Sequence, residues 1–385
     1  MVIFFPYCPD FWHSALVANW QPDIPYNELP PPPGVDELET RRVLKAAIGA
    51  NAALAQLDQA VASISNPTVL INTIPILEAQ ASSEIENIVT TTDELFRHQI
   101  DEAGADPATR ETLRYRTALR TGFDLTIQRG LTTATALAVC STIKARDMRV
   151  RALPGTRIAN PATGEIIYSP PEGKELIETK LAEWERFIHA DDGLDTLIRM
   201  AAAHYQFEAI HPFVDGNGRT GRIANVLMLV DAGLLRLPVL YLSRYIIDSK
   251  NDYYRLLLAV TTDGAWEEWI LYILRGIELT SRYTLRKIAA IRDLQTDFTQ
   301  RARVVSKRGA DSEFQSVLFE QPYCRIASVM DRCDVSRPTA SAWLNALAES
   351  GLLQTAKVGR DRLYINREFL QLLVRPEPLG EPDGT

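Results

Sequence analysis

The sequence predicts an all-α fold that contains one small β-hairpin and ends in a separate C-terminal module. Long stretches rich in Ala, Leu, Glu and Gln favour helices, because these residues have high helix propensity. Residues 154–173 differ, since proline and glycine turn signals there surround short apolar runs. From residue 301 the charge balance changes sign, as expected where a new folding unit begins.

Composition narrows the class of protein. The chain has 385 residues, of which 46% are hydrophobic and 23% charged, a profile typical of a globular protein with several domains. A net charge of −8 argues against a general nucleic-acid or membrane-surface binder. Its 4 cysteines form no CxxC pair, which favours free thiols.

The first residues lack the basic start of a signal peptide, and no run reaches the ~18 apolar residues of a membrane span. We therefore expect a soluble, cytoplasmic protein with no membrane partner.

The N-terminal half is predicted to be a series of helices. A stiff, extended proline run, Pro30–Pro33, separates an N-terminal arm from the first of these helices. Helices are then predicted over residues 36–62, 69–88, 107–120 and 122–145, with Asn66-Pro67 breaking the first from the second. The turn-rich stretch 154–173 comes next as a β-hairpin, with Ile166, Ile167 and Tyr168 as one of its apolar runs.

Further helices are predicted over residues 175–189, 194–210, 219–232, 250–262 and 266–299, with Gly233 as a C-terminal stop. Three short helices are predicted at 314–321, 325–332 and 337–350, followed by an extended stretch at 352–365 with a turn at Gly359. The Pro-, Gly- and acid-rich tail, residues 376–385, is predicted to be disordered.

The densest cluster of reactive residues runs from His211 to Arg222 and has the character of a loop entering a helix. Gly216 and Gly218 let backbone amides turn around an anion at the positive end of that helix. Arg219 and Arg222 are three residues apart, so both can reach phosphate oxygens from one face. Asp215 is a hard oxygen ligand suited to Mg²⁺. His211 can accept a proton near neutral pH. Together these residues predict a phosphate-transfer site.

The same letters contain GxGxxG, the dinucleotide-binding fingerprint, at residues 216–221. That fingerprint requires a preceding strand within a βαβ unit. The segment before this loop is Ala-rich and helical instead, and no parallel-strand pattern comes after it. We therefore set the dinucleotide-binding interpretation aside.

The stretch His211-Pro212-Phe213-Val214-Asp215-Gly216-Asn217-Gly218-Arg219-Thr220-Gly221-Arg222 resembles the Fic motif HPFx(D/E)GN(G/K)RxxR at every fixed position. The motif is long and specific, and the resemblance extends over most of the chain. It implies an all-α Fic helical core with a small β-hairpin flap. It also implies transfer of AMP from ATP to a protein Ser, Thr or Tyr hydroxyl, with release of pyrophosphate.

The resemblance assigns roles by position. His211 would be the base, Asp215 would hold Mg²⁺, and Asn217 with the Gly216 and Gly218 amides would cradle the α-phosphate. Arg219 and Arg222 would grip the outer phosphates, and Thr220 and Gly221 complete the nucleotide-binding set. The flap residues Ile166, Ile167 and Tyr168 would clamp the target and the nucleotide. Tyr253 and Tyr254 are similar to an aromatic pair beside the adenine.

A second signature lies upstream, where Ser82-Ser83-Glu84-Ile85-Glu86-Asn87 fits the (S/T)xxxE(G/N) motif of the Fic inhibitory helix. Ser82, Glu86 and Asn87 carry that match, and the first two are four residues apart on one predicted helical face. The resemblance implies that Glu86 pairs with Arg222 and blocks placement of the γ-phosphate. Because the helix precedes the core, the resemblance implies intramolecular inhibition from the N-terminal side. It also leaves open that this glutamate supports AMP removal.

The C-terminal module carries 12 Lys and Arg against 8 Asp and Glu between residues 301 and 375. Val335-Ser336-Arg337-Pro338-Thr339 and the amphipathic stretch after it resemble the turn and recognition helix of winged helix-turn-helix domains. Arg360, Arg362 and Tyr364 would lie in the wing. DNA binding through this module is one interpretation. Dimerisation or protein docking is another, because the net charge is modest.

The domain plan is therefore an N-terminal helical region (1–110) with an inhibitory helix near 69–88, a Fic core (111–300), a winged helix-turn-helix module (301–375) and a tail (376–385). We expect an adenylyltransferase that uses ATP and Mg²⁺, is inhibited through Glu86 and, as family members often do, forms a homodimer. A DNA-binding regulator with a nucleotide-sensing Fic core is the alternative. A de-AMPylase, or transfer of UMP, phosphocholine or phosphate, also remains open.

Overall fold

Helices dominate the computed structural model, which describes residues 20–63, 68–99, 102, 104–160, 163–358 and 361–375. In chain order they are α1 (Val35–Leu38), α2 (Arg41–Ala62), α3 (Thr68–Ile85), α4 (Thr92–His98), α5 (Pro107–Arg129), α6 (Thr133–Lys144), α7 (Lys174–Ile188), α8 (Thr196–Ile210), α9 (Asn217–Asp231), α10 (Leu242–Asp248), α11 (Lys250–Asp263), α12 (Trp266–Val305), α13 (Ser312–Glu320), α14 (Ile326–Cys333), α15 (Arg337–Glu349) and α16 (Arg367–Val374). The strands are β1 (Ile158–Ala159), β2 (Ile166–Tyr168), β3 (Tyr323–Arg325), β4 (Gln354–Val358) and β5 (Asp361–Ile365). The predicted all-α class with a small hairpin is confirmed.

Some predictions fall on parts of the chain outside the described residues. These are the start of the N-terminal arm, the Asn66-Pro67 break, Gly359 and Arg360 in the predicted wing, and the tail at 376–385. The predicted domain boundaries at residues 110 and 300 lie inside α5 and α12. The chain divides into two compact units, the first formed by residues up to 51, 118–233 and 246–276, and the second by 52–117, 234–245 and 277 onward. The four-part domain plan stays a prediction.

The predicted break between two helices near residue 121 is wrong. The sequence suggested a break between residues 120 and 122, but α5 continues through Gly122 to Arg129 and the chain turns at Gly130, whose φ is +80°. Gly122 has a packing role instead, because a Cβ there would lie 2.6 Å from Leu227 Cδ1 and 2.8 Å from Val139 Cγ2. A glycine inside a helix thus marks close contact between elements rather than a helix end.

Helices α8 and α9 form the centre of the first unit, and nearly all of their residues are buried. Asp195 begins α8 by accepting hydrogen bonds from the amides of Leu197 and Ile198, which satisfies two donors at the helix start. Trp184 and Trp269 each donate an indole hydrogen bond to an α8 carbonyl, at 3.0 and 2.8 Å. These contacts fix α8 on two sides, so the loop after it leaves from a rigid helix.

The hairpin predicted at 154–173 is present in the first unit. Strands β1 and β2 pair antiparallel, with Ile158 opposite Tyr168 and Ala159 opposite Ile166. The backbone next to it is tied to the N-terminal segment, because Tyr26 N donates to Ser169 O at 2.9 Å. The hairpin therefore has a fixed base.

The second unit contains the C-terminal module. Its three antiparallel strands run in the order β3-β5-β4, and the chain order is α13, β3, α14, α15, β4, β5, α16. That is the order a winged helix requires, although the sequence reasoning missed β3 and α16. The winged-helix assignment stays a prediction. In the described part of the chain, we find no helix with both the length and the hydropathy needed to cross a membrane.

Candidate active site

The predicted catalytic loop joins the two central helices of the first unit. His211 directly follows α8 and is half-buried, with its amide donating to Phe207 O at 3.1 Å. Its backbone is left-handed, at φ 49° and ψ 58°, a conformation that costs a non-glycine residue roughly 1–2 kcal/mol. A strained backbone at a histidine that ends a buried helix is typical of a functional position.

Asn217 closes this loop. Its Oδ1 accepts from Phe213 N at 2.8 Å and its Nδ2 donates to Phe213 O at 2.7 Å, and the residue is buried. The sequence reasoning gave the Asn217 side chain a place around the α-phosphate. In the structure both polar atoms of this side chain hold the loop closed, and its predicted place around the α-phosphate stays a prediction.

Gly216 turns the chain into α9. Its φ of +86° is one that L residues rarely adopt, and a Cβ there would lie 3.4 Å from both Cys140 Sγ and Lys144 Cδ. The first α9 hydrogen bond runs from Thr220 N to Gly216 O, so the amides of Asn217 and Gly218 have no helical acceptor. With the helix dipole, these amides could hold an anion, and the anion site predicted here stays a prediction.

Two residues of the predicted nucleotide-binding set have packing roles. Thr220 is fully buried and its hydroxyl donates to Gly216 O at 2.8 Å. Gly221 faces α8, because a Cβ there would lie 2.5 Å from Glu208 Oε1 and 3.2 Å from Phe207 Cδ1. Thr220 therefore supports the start of α9, and Gly221 leaves room for α8, neither of which the motif pattern alone reveals. Their predicted part in nucleotide binding stays a prediction.

Arg219 and Arg222 are both almost fully buried, at 2% and 3% exposure. Their charges act on different neighbours. Arg219 lowers the pKa of Asp215 on the loop side. Arg222 acts on His204, whose pKa falls to about 3 because of burial first and the Arg222 charge second. Two buried cations next to a helix N-terminus create a strongly anion-attracting site.

Asp215 is half-exposed and forms an ion pair with Lys144, with Nζ 2.6 Å from Oδ2. Burial alone would raise the pKa of Asp215, but the hydrogen bond and charge of Lys144 outweigh it and lower the pKa. The described residues contain no group of three or more His, Cys, Asp or Glu able to hold a metal. A single carboxylate beside an anion site nevertheless fits Mg²⁺, which is commonly held by one carboxylate and the phosphates of a substrate.

Cys140 lies behind the loop, and its thiol donates to Asp215 O at 3.4 Å. Burial raises the pKa of this thiol to about 11, so it stays protonated at neutral pH. Protonated thiols are poor nucleophiles. Cys140 therefore packs against the loop and is not a candidate for covalent catalysis.

The predicted flap residues separate into two kinds. Tyr168 is buried, and its hydroxyl donates to Ala209 O at 3.0 Å. It anchors the hairpin to the end of α8, a packing role that the sequence did not predict, and its part in the clamp stays a prediction. Ile166 and Ile167 are half-buried and stay candidates for that role.

The predicted aromatic pair also separates. Tyr253 is buried, with its hydroxyl 2.9 Å from Nε2 of His204, and belongs to the core of the unit. Tyr254 is 45% exposed, with its ring 5.1 Å from that of Tyr253 in an edge-on arrangement. Of the two, only Tyr254 presents an aromatic surface that a planar base could meet.

The predicted inhibitory residues lie in the second unit, at the end of α3. The helix ends at Ile85, three residues before the predicted end, because Asn87 has φ 61°. Ile88 N donates to Ser83 O at 3.0 Å and Asn87 N to Glu84 O at 2.9 Å, the two hydrogen bonds of a Schellman motif. Glu86 is thus the C-cap residue and is exposed, while Ser82 is buried inside the helix.

Helix α3 is held from its centre by a buried carboxylate. Glu78 accepts hydrogen bonds from Ser243 N at 3.0 Å, from the Ser243 hydroxyl, and from the Tyr115 hydroxyl at 3.2 Å. Because Glu78 lies two helical turns before Glu86, these bonds fix the rotation of α3 and hence the direction in which Glu86 leaves it.

In the C-terminal module, two predicted wing residues contact the predicted recognition helix. Arg362 Nη1 and the Tyr364 hydroxyl both donate to Asn345 Oδ1, at 3.1 and 2.8 Å. Within α15 the one basic residue is Arg337, at its start. Neither observation favours DNA over a protein partner, so both interpretations stay predictions.

Sequence reasoning missed two residues of the site. Lys144 ends α6 and Arg151 precedes the hairpin, and both reach the loop from more than fifty residues away along the chain. No local motif surrounds either one. A basic residue just before a turn-rich segment is too common a pattern to single out.

Fold and site together define a helical protein in which a loop beginning with a histidine leads into the N-terminus of a buried helix that carries two buried arginines. Three family profiles match successive parts of the chain: "Fic/DOC family N-terminal" at residues 44–124, "Fic/DOC family" at 136–229, and "Protein adenylyltransferase SoFic-like, C-terminal domain" at 294–369. The chain belongs to the Fic/DOC family.

Named relatives match over part of the chain. The protein adenylyltransferase fic-1 of Caenorhabditis briggsae is 28% identical over 110 residues, 28% of this chain and 20% of that protein. A probable protein adenylyltransferase of Aquifex aeolicus is 38% identical over 82 residues, 20% of this chain and 24% of that protein. The protein adenylyltransferase Fic of Drosophila yakuba is 32% identical over 112 residues, 29% of this chain and 21% of that protein. The matches span less than a quarter of the length of each relative.

Solved structures show the same fold. A Fic family protein from Desulfovibrio desulfuricans G20 has a TM-score of 0.53 and 19% identity, covering 88% of this chain and 98% of that one. Residues 134–508 of Fic-1 from C. elegans have a TM-score of 0.50 and 17% identity, covering 66% of this chain and 74% of that one.

Proposed function

We propose that this protein is an adenylyltransferase that moves AMP from ATP to a Ser, Thr or Tyr hydroxyl of a protein. The observation that carries the proposal is the position of His211, which ends α8 in a strained backbone and is separated from the α9 amides only by the loop that Asn217 closes. The names of the relatives support the same activity.

In the proposed reaction His211 accepts the proton of the target hydroxyl. The hydroxyl oxygen then bonds to the α-phosphorus, the bond between the α-phosphorus and the bridging oxygen to the β-phosphate breaks, and pyrophosphate leaves. The amides of Asn217 and Gly218 would stabilise the charge that builds on the α-phosphate oxygens, since they are oriented before the reaction begins. The buried Arg219 and Arg222 would bind the β- and γ-phosphates.

Asp215 would hold Mg²⁺, which would neutralise phosphate charge when bound. In our proposal the Lys144 ammonium also neutralises phosphate charge, because it lies beside the same carboxylate. The half-buried Ile166 and Ile167 would contact the target segment, and Tyr254 would face the adenine.

Control of the reaction is proposed to come from α3. Glu86 would pair with the Arg222 guanidinium, which the γ-phosphate also needs, so that nucleotide binds in an unproductive way. The Schellman motif supports this, because it fixes the backbone of Glu86 at the tip of a helix anchored by Glu78. A carboxylate at a helix C-terminus is disfavoured by the dipole and gains from a cationic partner.

The test is label transfer from ATP carrying ³²P at either the α or the γ position. We expect protein-bound label from the α position only, a larger signal in Glu86→Gly and none in His211→Ala. Label from the γ position would indicate phosphate transfer instead. The same assay with α-labelled UTP distinguishes UMP transfer. Nucleotide binding without transfer in both wild type and Glu86→Gly would favour a nucleotide-sensing regulator.

A further inference from the structure

Four successive carbonyls at the end of α8 accept hydrogen bonds from the hairpin segment, residues 151–171. Ala209 O accepts from the Tyr168 hydroxyl at 3.0 Å, and Pro212 O accepts from Arg151 N at 2.9 Å. The two carbonyls between them accept from the Arg151 guanidinium, Ile210 O at 3.2 Å and His211 O at 2.7 Å. Carbonyls at the C-terminal end of a helix have no N–H donor within the helix. When they are buried, donors from another segment must satisfy them.

Arg151 is the centre of this arrangement. It is 2% exposed, and its Nη2 also donates to Pro171 O, just beyond β2. One planar guanidinium therefore binds the base of the hairpin and the backbone of His211 together. A lysine could supply the charge but not the fork of parallel N–H groups, so the geometry depends on arginine.

His211 needs such support because its backbone is left-handed. Its imidazole direction depends on that backbone, and a small rotation would move the ring away from an incoming hydroxyl. The bond from Arg151 Nε to His211 O acts directly on the peptide that sets this rotation. Cys140, Lys144 and Asn217 contact the later part of the loop, whereas Arg151 binds the carbonyl of His211 itself.

We propose that Arg151 is a positioning residue that sets the orientation of His211 and couples it to the base of the hairpin. The inference rests on the proposed role of His211 as the base. Displacement of the hairpin, as when a target segment docks, is then transmitted to the catalytic histidine through one side chain.

The first test separates kcat from KM for ATP, with the Glu86→Gly protein as the parent. Arg151→Gln is expected to lower kcat by on the order of 10²-fold while KM for ATP stays close to that of the parent, because misplacement of a reacting group affects the chemical step. The kcat of Arg151→Lys is expected to lie between that of the parent and that of Arg151→Gln. Arg199→Lys is the matched control, since Arg199 is also buried and donates to Phe187 O at 2.7 Å, away from the loop. A kcat for Arg151→Gln equal to that of Arg199→Lys would overturn the proposal.

The second test does not need activity. In protein labelled with ¹³C at histidine Cε1, the His211 signal is identified by its loss in His211→Ala. Arg151→Gln and Arg151→Lys are expected to shift or broaden that signal and leave the other histidine signals in place, whereas Arg199→Lys leaves it unchanged. An unaltered His211 signal in Arg151→Gln overturns the proposal. An altered signal in a chain that transfers no label would instead refute only the proposed function.

Discussion

Nζ of Lys144 lies 2.6 Å from Oδ2 of Asp215, so the carboxylate proposed to hold a metal already has a cation beside it. The lysine is mostly buried, with 17% of its side chain exposed, while the aspartate is 52% exposed. A metal ion that approaches from solvent must therefore compete with an ammonium group for the same carboxylate. When it does, the flexible lysine stem allows the ammonium to move towards a phosphate.

We predict that Lys144→Met lowers the Mg²⁺ concentration that half-saturates nucleotide binding. The same variant should bind nucleotide more weakly in EDTA, because a cation near the phosphates is lost. Binding of a fluorescent ATP analogue across a Mg²⁺ series measures both effects. Lys174→Met, which removes an exposed lysine paired with Glu178, is the control. An unchanged Mg²⁺ dependence would show that the lysine does not compete with the metal.

We predict that Asn217→Ala both destabilises the protein and abolishes transfer. The change leaves the buried N–H and C=O of Phe213 without their hydrogen bonds, at a cost of roughly 2 kcal/mol or more. Urea denaturation measures the loss. Asn225→Ala is matched in residue type, helix and burial, but its Nδ2 has no partner among the described residues, so it should cost less. Equal losses in the two variants would contradict the assigned role of Asn217.

We predict that Glu86→Gly raises self-modification several-fold, because the carboxylate that competes for Arg222 is removed. Glu84→Gly is the control, since Glu84 is also exposed and lies within the last turn of the same helix. Scintillation counting of protein-bound label from α-labelled ATP gives the rates. Identical rates for wild type and Glu86→Gly would remove the inhibitory role.

We predict that His204 makes stability depend on pH. Burial, and secondly the charge of Arg222, lower the pKa of His204 from 6.5 to about 3. Below pH 6.5 the unfolded chain therefore binds a proton that the folded chain does not. The free energy of unfolding falls as pH falls, by about 1.4 kcal/mol per pH unit, until about pH 3.

Urea denaturation between pH 7 and pH 4 measures this effect as the difference between wild type and His204→Gln. The glutamine can keep a hydrogen bond to Tyr253 but does not titrate, so the variant should lose less stability on acidification. Parallel slopes for wild type and His204→Gln would show that His204 does not titrate differently in the folded state.

Sequence reasoning could single out the loop from His211 to Arg222 as the candidate site because the information for it is local. The order of His211, the glycines and Arg219 is enough to predict a loop, a helix start and an anion site. Burial, in contrast, depends on neighbours that are distant in the sequence. Burial is what gives Thr220 and Gly221 their packing roles, and no local sequence pattern predicts burial.

The tyrosines show the same limit. Tyr168 and Tyr253 look like ligand-facing aromatics in the sequence, yet each is buried with a hydrogen-bonded hydroxyl. Lys144 and Arg151 were missed for the reverse reason, since their partners lie 71 and 60 residues away along the chain, from Lys144 to Asp215 and from Arg151 to His211. Periodicity predicted the helices, but it did not predict that α5 would continue through Gly122.

The most direct measurement is the intact mass of the Glu86→Gly protein after incubation with ATP and Mg²⁺, beside the same protein carrying His211→Ala. We predict that Glu86→Gly gains the mass of one or more AMP groups and that the double variant gains none. An unmodified Glu86→Gly protein that still binds ATP, or equal modification of both proteins, would contradict the account.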